Sequence, residues 1–184
     1  MKKGGKQGNS TQTGTQYEGK MDINSYIEGF ENYNVQPNGY HNKNSFDVCY
    51  NNEKVALIFK KDAFYKYLES QGVSWKDIIS TKLLPDSSLL VIVRKTLFII
   101  EVKYQKVGGS TDEKLQTADF KRKQYTKLVE PLNLYVEYIY VLNDWFNAPK
   151  YKDVLEYIKS VGCRYFINEL PPLDWFGLPK GIKK

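Results

Sequence analysis

Asp86 and the triplet Glu101-Val102-Lys103 are the residues whose types and spacing point most directly to chemistry. Fourteen residues separate the aspartate from the glutamate, and they hold two apolar runs, 89–93 and 97–100, broken only by Arg94-Lys95-Thr96. Two β-rich runs with so short a break read as an antiparallel hairpin, although Arg-Lys is not a favoured turn pair. A turn at Arg94-Lys95 sets Val93 across from Thr96, Ser88 across from Glu101 and Asp86 across from Lys103. Side chains two apart on a strand share a face, so Glu101 and Lys103 project together beside Asp86. Two carboxylates and one ammonium at the end of an apolar hairpin suit a metal site with a catalytic lysine.

Plainer readings stand beside this one. Glu-x-Lys on an edge strand is commonly a solvated pair, Pro85-Asp86 is a common turn dipeptide, and Lys103 could do no more than neutralise Glu101. The combination favours chemistry, because the aspartate opens the first strand and Glu-x-Lys closes the second. An ordinary surface strand alternates polar and apolar residues throughout, whereas this one runs apolar until the charges begin.

The arrangement Pro85-Asp86 … Glu101-x-Lys103 resembles the PD-(D/E)XK nuclease superfamily, the fold of many restriction endonucleases. The resemblance spans most of residues 17–184 and implies an αβββαβ core. Domains of that family often begin with a helix carrying a glutamate. The run Thr13-Gly14-Thr15-Gln16-Tyr17-Glu18 looks like such an entry, with Glu18 as an extra acidic group. Gln105 and the stretch 108–117 resemble a segment of small restriction-endonuclease-like proteins. Some members carry a helix glutamine near the catalytic residues, which points to Gln124. The resemblance implies Asp86 and Glu101 as ligands of Mg²⁺, with Mn²⁺ as a substitute, and Lys103 as the catalytic lysine.

At 184 residues the chain is expected to form one domain with a sizeable core. A hydrophobic content of 41% with 15% aromatic residues excludes a wholly disordered chain. No apolar run approaches a membrane span, and residues 1–20 lack a signal-peptide core. Cys49 and Cys163 lie far apart with no metal-like spacing, which suggests reduced thiols and a cytoplasmic location, with no membrane partner. The net charge of +6 is less telling than it looks. Lys2, Lys3 and Lys6 near one end and Lys180, Lys183 and Lys184 near the other account for all of it, so residues 17–178 are formally neutral. Basic ends add non-specific phosphate affinity at most, and His41 has no companion histidine.

The elements that must position the motif follow from composition and punctuation. Residues 1–16, rich in Gly, Ser, Thr, Gln and Asn, read as a disordered basic tail. A helix is expected over 17–30 and a loop over 34–44. Strands are expected at 45–50 and 54–59 around Asn51-Asn52, then a helix over 62–71 ended by Gly72. Ser110-Thr111-Asp112-Glu113 reads as a capping box opening one helix over 111–129, which Pro131 limits. On it Lys114, Thr117, Lys121 and Gln124 border an apolar face, either snorkelling at its edge or lining a cleft. Lys114, Lys121, Arg122 and Gln105 are the candidate DNA contacts. A strand over 132–143, parallel to the motif strand, a helix over 150–161, a strand over 164–168 and an aromatic carboxyl segment complete the chain.

The expectation is therefore an α/β domain, a mixed central sheet flanked by helices, acting as a metal-dependent DNA endonuclease. A restriction enzyme or its catalytic subunit is one form. A repair or recombination nuclease reading DNA structure is another, and a non-catalytic nucleic-acid-binding module on the same fold is a third. Intact Asp86, Glu101 and Lys103 speak against the last. So small a domain would cut duplex DNA as a homodimer or beside a larger partner subunit.

Overall fold

The computed structural model describes residues 8–40, 43–108 and 111–184. Seven strands form one sheet in chain order: β1 (Tyr33–Pro37), β2 (Ser45–Tyr50), β3 (Glu53–Phe59), β4 (Ser87–Val91), β5 (Thr96–Lys103), β6 (Tyr135–Leu142) and β7 (Arg164–Ile167). Strands β1 to β5 pair antiparallel, whereas β6 is parallel to β5 and β7 is parallel to β6. Strands joined by crossover helices return in the same direction, which explains the change at β5. The architecture is thus α/β with a mixed sheet, as expected.

Among the described residues seven α-helices cover the sheet: α1 (Gly8–Lys20), α2 (Ile23–Glu28), α3 (Ala63–Ser70), α4 (Thr111–Leu115), α5 (Ala118–Val129), α6 (Lys152–Ser160) and α7 (Leu173–Phe176). Helices α3, α5 and α6 supply Phe64, Tyr125, Leu128 and Ile158 to one face. Helices α1, α2 and α7 supply Tyr17, Ile23, Ile27 and Phe176 to the other. Strand β4 is buried along its whole length, and β5 as far as Val102. That is why both read as unbroken apolar runs. Each fully buried Leu, Ile or Phe side chain contributes about 1.5–3 kcal/mol, so this pair anchors the fold and fixes whatever its ends carry.

The departures from expectation have local causes. The helix expected over 17–30 starts at Gly8, inside the segment read as a disordered tail, and residues 1–7 lie outside the described residues. It also breaks before α2, where the Asp22 side chain accepts from Ser25 N at 3.0 Å as an N-cap. The helix expected over 111–129 is two helices. Thr117 Oγ1 donates to the Lys114 carbonyl at 2.7 Å and ends the first of them, while Ser110 of the capping box lies outside the described residues. The loop expected over 34–44 contains edge strand β1, whose Tyr33 and Val35 face inward before Pro37 closes it. Asn51 and Asn52 both adopt positive φ, 49° and 67°, as a two-residue hairpin turn demands.

The hairpin carrying the motif has a different register from the one its sequence suggests. Val91, not Val93, pairs with Thr96, and Ser87 pairs with Ile100. The turn spans Ile92 to Lys95, closed by Lys95 N–H donating to the Ile92 carbonyl at 3.1 Å, with Lys95 at φ 50°. Continuing that register past Ser87 brings Asp86 opposite Glu101 rather than Lys103. The aromatic carboxyl segment packs as core, with Phe176 edge-on to Phe98 at 5.0 Å between centroids. The basic residues beyond it are tied down as well: Lys184 N–H donates to the Gly29 carbonyl at 2.8 Å, and Lys180 pairs with Asp174 at 3.3 Å.

Candidate active site

Asp86 stands one residue before β4, and Glu101 and Lys103 stand at the carboxyl end of β5, inside the sheet between β4 and β6. Because β4 begins only at Ser87, which pairs with Ile100, the Val102 N–H has no strand partner there, and it donates to Asp86 Oδ2 at 2.8 Å. Lys103 Nζ lies 3.1 Å from the same Asp86 oxygen, 2.7 Å from Glu101 Oε2 and 3.1 Å from the Val102 carbonyl. One ammonium is thus ringed by three oxygens. Glu101 is only 5% exposed, so its charge must be compensated within the protein.

Helix α5 completes the compensation. Lys121 Nζ lies 3.5 Å from Glu101 Oε1, so each glutamate oxygen faces an ammonium. Burial pulls the Lys103 pKa down more strongly than any other single effect. The charges of Glu101 and Asp86, with the hydrogen bonds to them, outweigh it together and hold the group above the ordinary lysine range. One turn after Lys121, fully buried Tyr125 donates its hydroxyl to the Leu83 carbonyl at 3.1 Å. Burial above all, then the negative charges nearby, keeps that phenol protonated.

A cleft of about 600 Å³ opens beside Asp86, lined among others by Glu18, Asp22, Lys60, Lys61 and Pro85. Glu18 is an exposed residue whose carboxyl pKa is raised, first by partial desolvation at the cleft and then by the nearby Asp86 charge. Lys60 forms an ion pair with Asp22 across the same cleft. These two lysines and Asp22 were not singled out in the sequence. The available signal was Lys60-Lys61 closing the apolar run of β3, much as Glu101 and Lys103 close β5.

Of the residues singled out in the sequence, the fold gathers Asp86, Glu101, Lys103 and Lys121, with Glu18 on the adjoining cleft. Gln124 is half-buried one turn beyond Lys121 on α5. Lys114 is exposed on α4, and its carbonyl accepts from Tyr140 Oη at 3.1 Å. Arg122, one step round α5 from Lys121, lies against Gly162 and pairs with Asp119 at 3.9 Å, away from Glu101. Gln105 is only 6% exposed. Its backbone N–H donates to Asn143 Oδ1 at 3.0 Å, and its carbonyl accepts from Asn143 Nδ2 at 2.9 Å. Arg122 therefore does not face the cluster, while the Gln105 side-chain amide is buried with neither Oε1 nor Nε2 hydrogen-bonded among the described residues.

The donor set suits a hard divalent cation. Two carboxylates and a backbone carbonyl converge on one point, now filled by the Lys103 ammonium. Among the described residues no three Asp, Glu, His or Cys side chains gather into a metal cage. A bound ion would therefore keep water or substrate oxygens in its remaining positions, as Mg²⁺ commonly does. No family model, curated protein or solved structure matches this chain. Fold and site define its class as an α/β protein whose mixed sheet carries an Asp–Glu–Lys cluster at the ends of two central strands. Among the described residues no helix is long and apolar enough to cross a membrane.

Proposed function

We propose that this chain is a metal-dependent DNA endonuclease of the PD-(D/E)XK type, a restriction endonuclease or the catalytic subunit of one. The observation that carries the reading is the convergence of Asp86 Oδ2 and Glu101 Oε2 on Lys103 Nζ, within 3.1 Å and 2.7 Å. The element order supports it: helix α1 carrying Glu18 in its last turn, antiparallel β3, β4 and β5, then helix α5 and parallel β6, in keeping with an αβββαβ core. Two free cysteines accord with a reducing, cytoplasmic setting.

Asp86, Glu101 and the Val102 carbonyl would hold Mg²⁺ or Mn²⁺, which when bound polarises a phosphodiester and acidifies a water. Lys103, kept charged by its carboxylate neighbours, donates hydrogen bonds toward the scissile phosphate and steadies the negative charge that grows there. Val102 N–H holds Asp86 in place, and Lys121 holds Glu101, so neither carboxylate needs to reorganise during the reaction. Strand cleavage puts water oxygen on phosphorus and releases the alkoxide, which leaves as the alcohol once protonated. Cutting both strands of a duplex requires two such centres, which a homodimer or a larger partner subunit supplies.

The test is incubation of the purified protein with plasmid and viral DNA in Mg²⁺ or Mn²⁺, beside Glu101→Ala. Discrete fragments absent from the variant support a sequence-reading endonuclease. Cutting confined to branched or nicked substrates favours a repair or recombination nuclease. Binding with no cutting under either metal overturns the catalytic reading and leaves a nucleic-acid-binding module.

A further inference from the structure

Three residues before Asp86, the backbone of Leu83 is held in an unusual way. Tyr65 Oη on α3 donates to the Leu83 carbonyl at 2.9 Å and accepts from the Leu83 N–H at 2.8 Å. Tyr125 Oη on α5 donates to that same carbonyl at 3.1 Å. Both tyrosines are fully buried, and they come from different helices. A buried tyrosine hydroxyl needs one partner, and most connecting segments turn their carbonyls to water. Here two buried hydroxyls meet on one residue of a connection.

From Leu83 to Asp86 the chain has little freedom left. Pro85 fixes its own φ, and its carbonyl accepts from the Lys61 N–H at 3.2 Å. At the far end the Val102 N–H holds the Asp86 carboxylate at 2.8 Å. Just before Leu83, the Lys82 ammonium lies 4.9 Å from the ring centres of both Tyr65 and Trp75, so the segment is steadied there too. Tyr125 follows Lys121 by four positions, so the two share a face of α5. That face meets Glu101 through Lys121 and the approach to Asp86 through Tyr125.

We propose that Tyr65 and Tyr125 are positioning residues, which clamp the Leu83 backbone and thereby set where the Asp86 carboxylate stands relative to Glu101. Without the two hydroxyls the Leu83 carbonyl and N–H turn to water and the approach to Asp86 loosens. A displacement of about 1 Å at a reacting group costs on the order of a hundredfold in rate. DNA binding, spread over many phosphate contacts, is left nearly intact. The catalytic consequence rests on the nuclease reading, whereas the clamp's effect on Asp86 does not.

The experiment compares the wild type with Tyr65→Phe, Tyr125→Phe and the double variant. Tyr33→Phe is the control, since it loses a buried hydroxyl bonded to the Pro179 carbonyl at 2.6 Å, remote from the clamp. The first readout is the Val102 backbone amide, whose exchange protection reports the Asp86 contact directly. In the double variant that protection falls about tenfold while the amides of Ile99 and Ile100 keep theirs, and Tyr33→Phe changes none of them. The second readout is plasmid cleavage: kcat falls about tenfold or more with KM within about twofold. Unchanged Val102 protection in the double variant overturns the proposal, as does an equal loss of protection in Tyr33→Phe. If the wild type cuts no DNA in Mg²⁺ or Mn²⁺, the nuclease reading fails, and the Val102 amide alone decides the clamp.

Discussion

The ammonium of Lys103 lies 2.7 Å from Glu101 Oε2, two residues earlier on the same strand. It occupies the point toward which Asp86 Oδ2 and the Val102 carbonyl also converge. A lysine so placed neutralises the carboxylates in the absence of another cation, and it competes with any ion they would bind.

DNA cleavage should require Mg²⁺ or Mn²⁺, because two carboxylates and a carbonyl offer oxygen ligands that hard cations prefer. Supercoiled plasmid run on agarose after incubation with and without excess chelator checks this. Full activity in chelator refutes the metal assignment.

Lys103→Ala and Glu101→Ala should both abolish cleavage yet differ in metal affinity. The first leaves the three oxygens in place and removes their competitor, so Mn²⁺ affinity measured by calorimetry holds or rises. The second removes a ligand and weakens Mn²⁺ binding by about tenfold or more. DNA affinity survives in both, since phosphate contacts are spread over many groups. A Lys103→Ala enzyme that still cuts would reduce the Glu-x-Lys pair to an ordinary ion pair.

Along α5, Lys121→Ala should lower cleavage more than stability, because its ammonium meets Glu101 at the cluster's edge with a side chain 23% exposed. Gln124→Ala should shift activity in the same direction. Arg122→Ala should do the reverse. It leans on Gly162 rather than on Glu101, so its loss costs about 1 kcal/mol of stability and leaves the specific activity of folded protein unchanged. Thermal melts and initial rates of the three variants separate the cases.

Glu18 gives a pH signature. Its pKa is raised in the folded protein by partial desolvation and by the charge of Asp86, so the fold favours the protonated form, by a margin that solvent screening at this exposed residue keeps small. Its favourable contribution is present below the ordinary carboxylate pKa and is lost as pH rises through the higher folded value. Glu18→Gln should therefore melt higher than the wild type near neutral pH without metal, and the difference should vanish in acid. A melting temperature that Glu18→Gln leaves unchanged at every pH would detach Glu18 from the cluster.

By itself the sequence determined the strands that matter and the residues at their ends. Continuous apolar runs can only be interior strands, and Asp86, Glu101 and Lys103 interrupt them where burial makes charge costly. The Asn51-Asn52 turn and the helix before Gly72 were equally legible, because their backbone demands are local. The break between α4 and α5 and the extension of α1 back to Gly8 were not. Both lie in weakly amphipathic, polar segments whose local preferences are nearly balanced. Tertiary structure decided the register that sets Asp86 across from Glu101: the expected and observed pairings differ by two residues, which leaves each side chain on the same face, so the apolar pattern could not tell them apart. It also decided which basic residue of α5 meets Glu101. One step round a helix separates Lys121 from Arg122, and only the packing of α5 on the sheet chose between them.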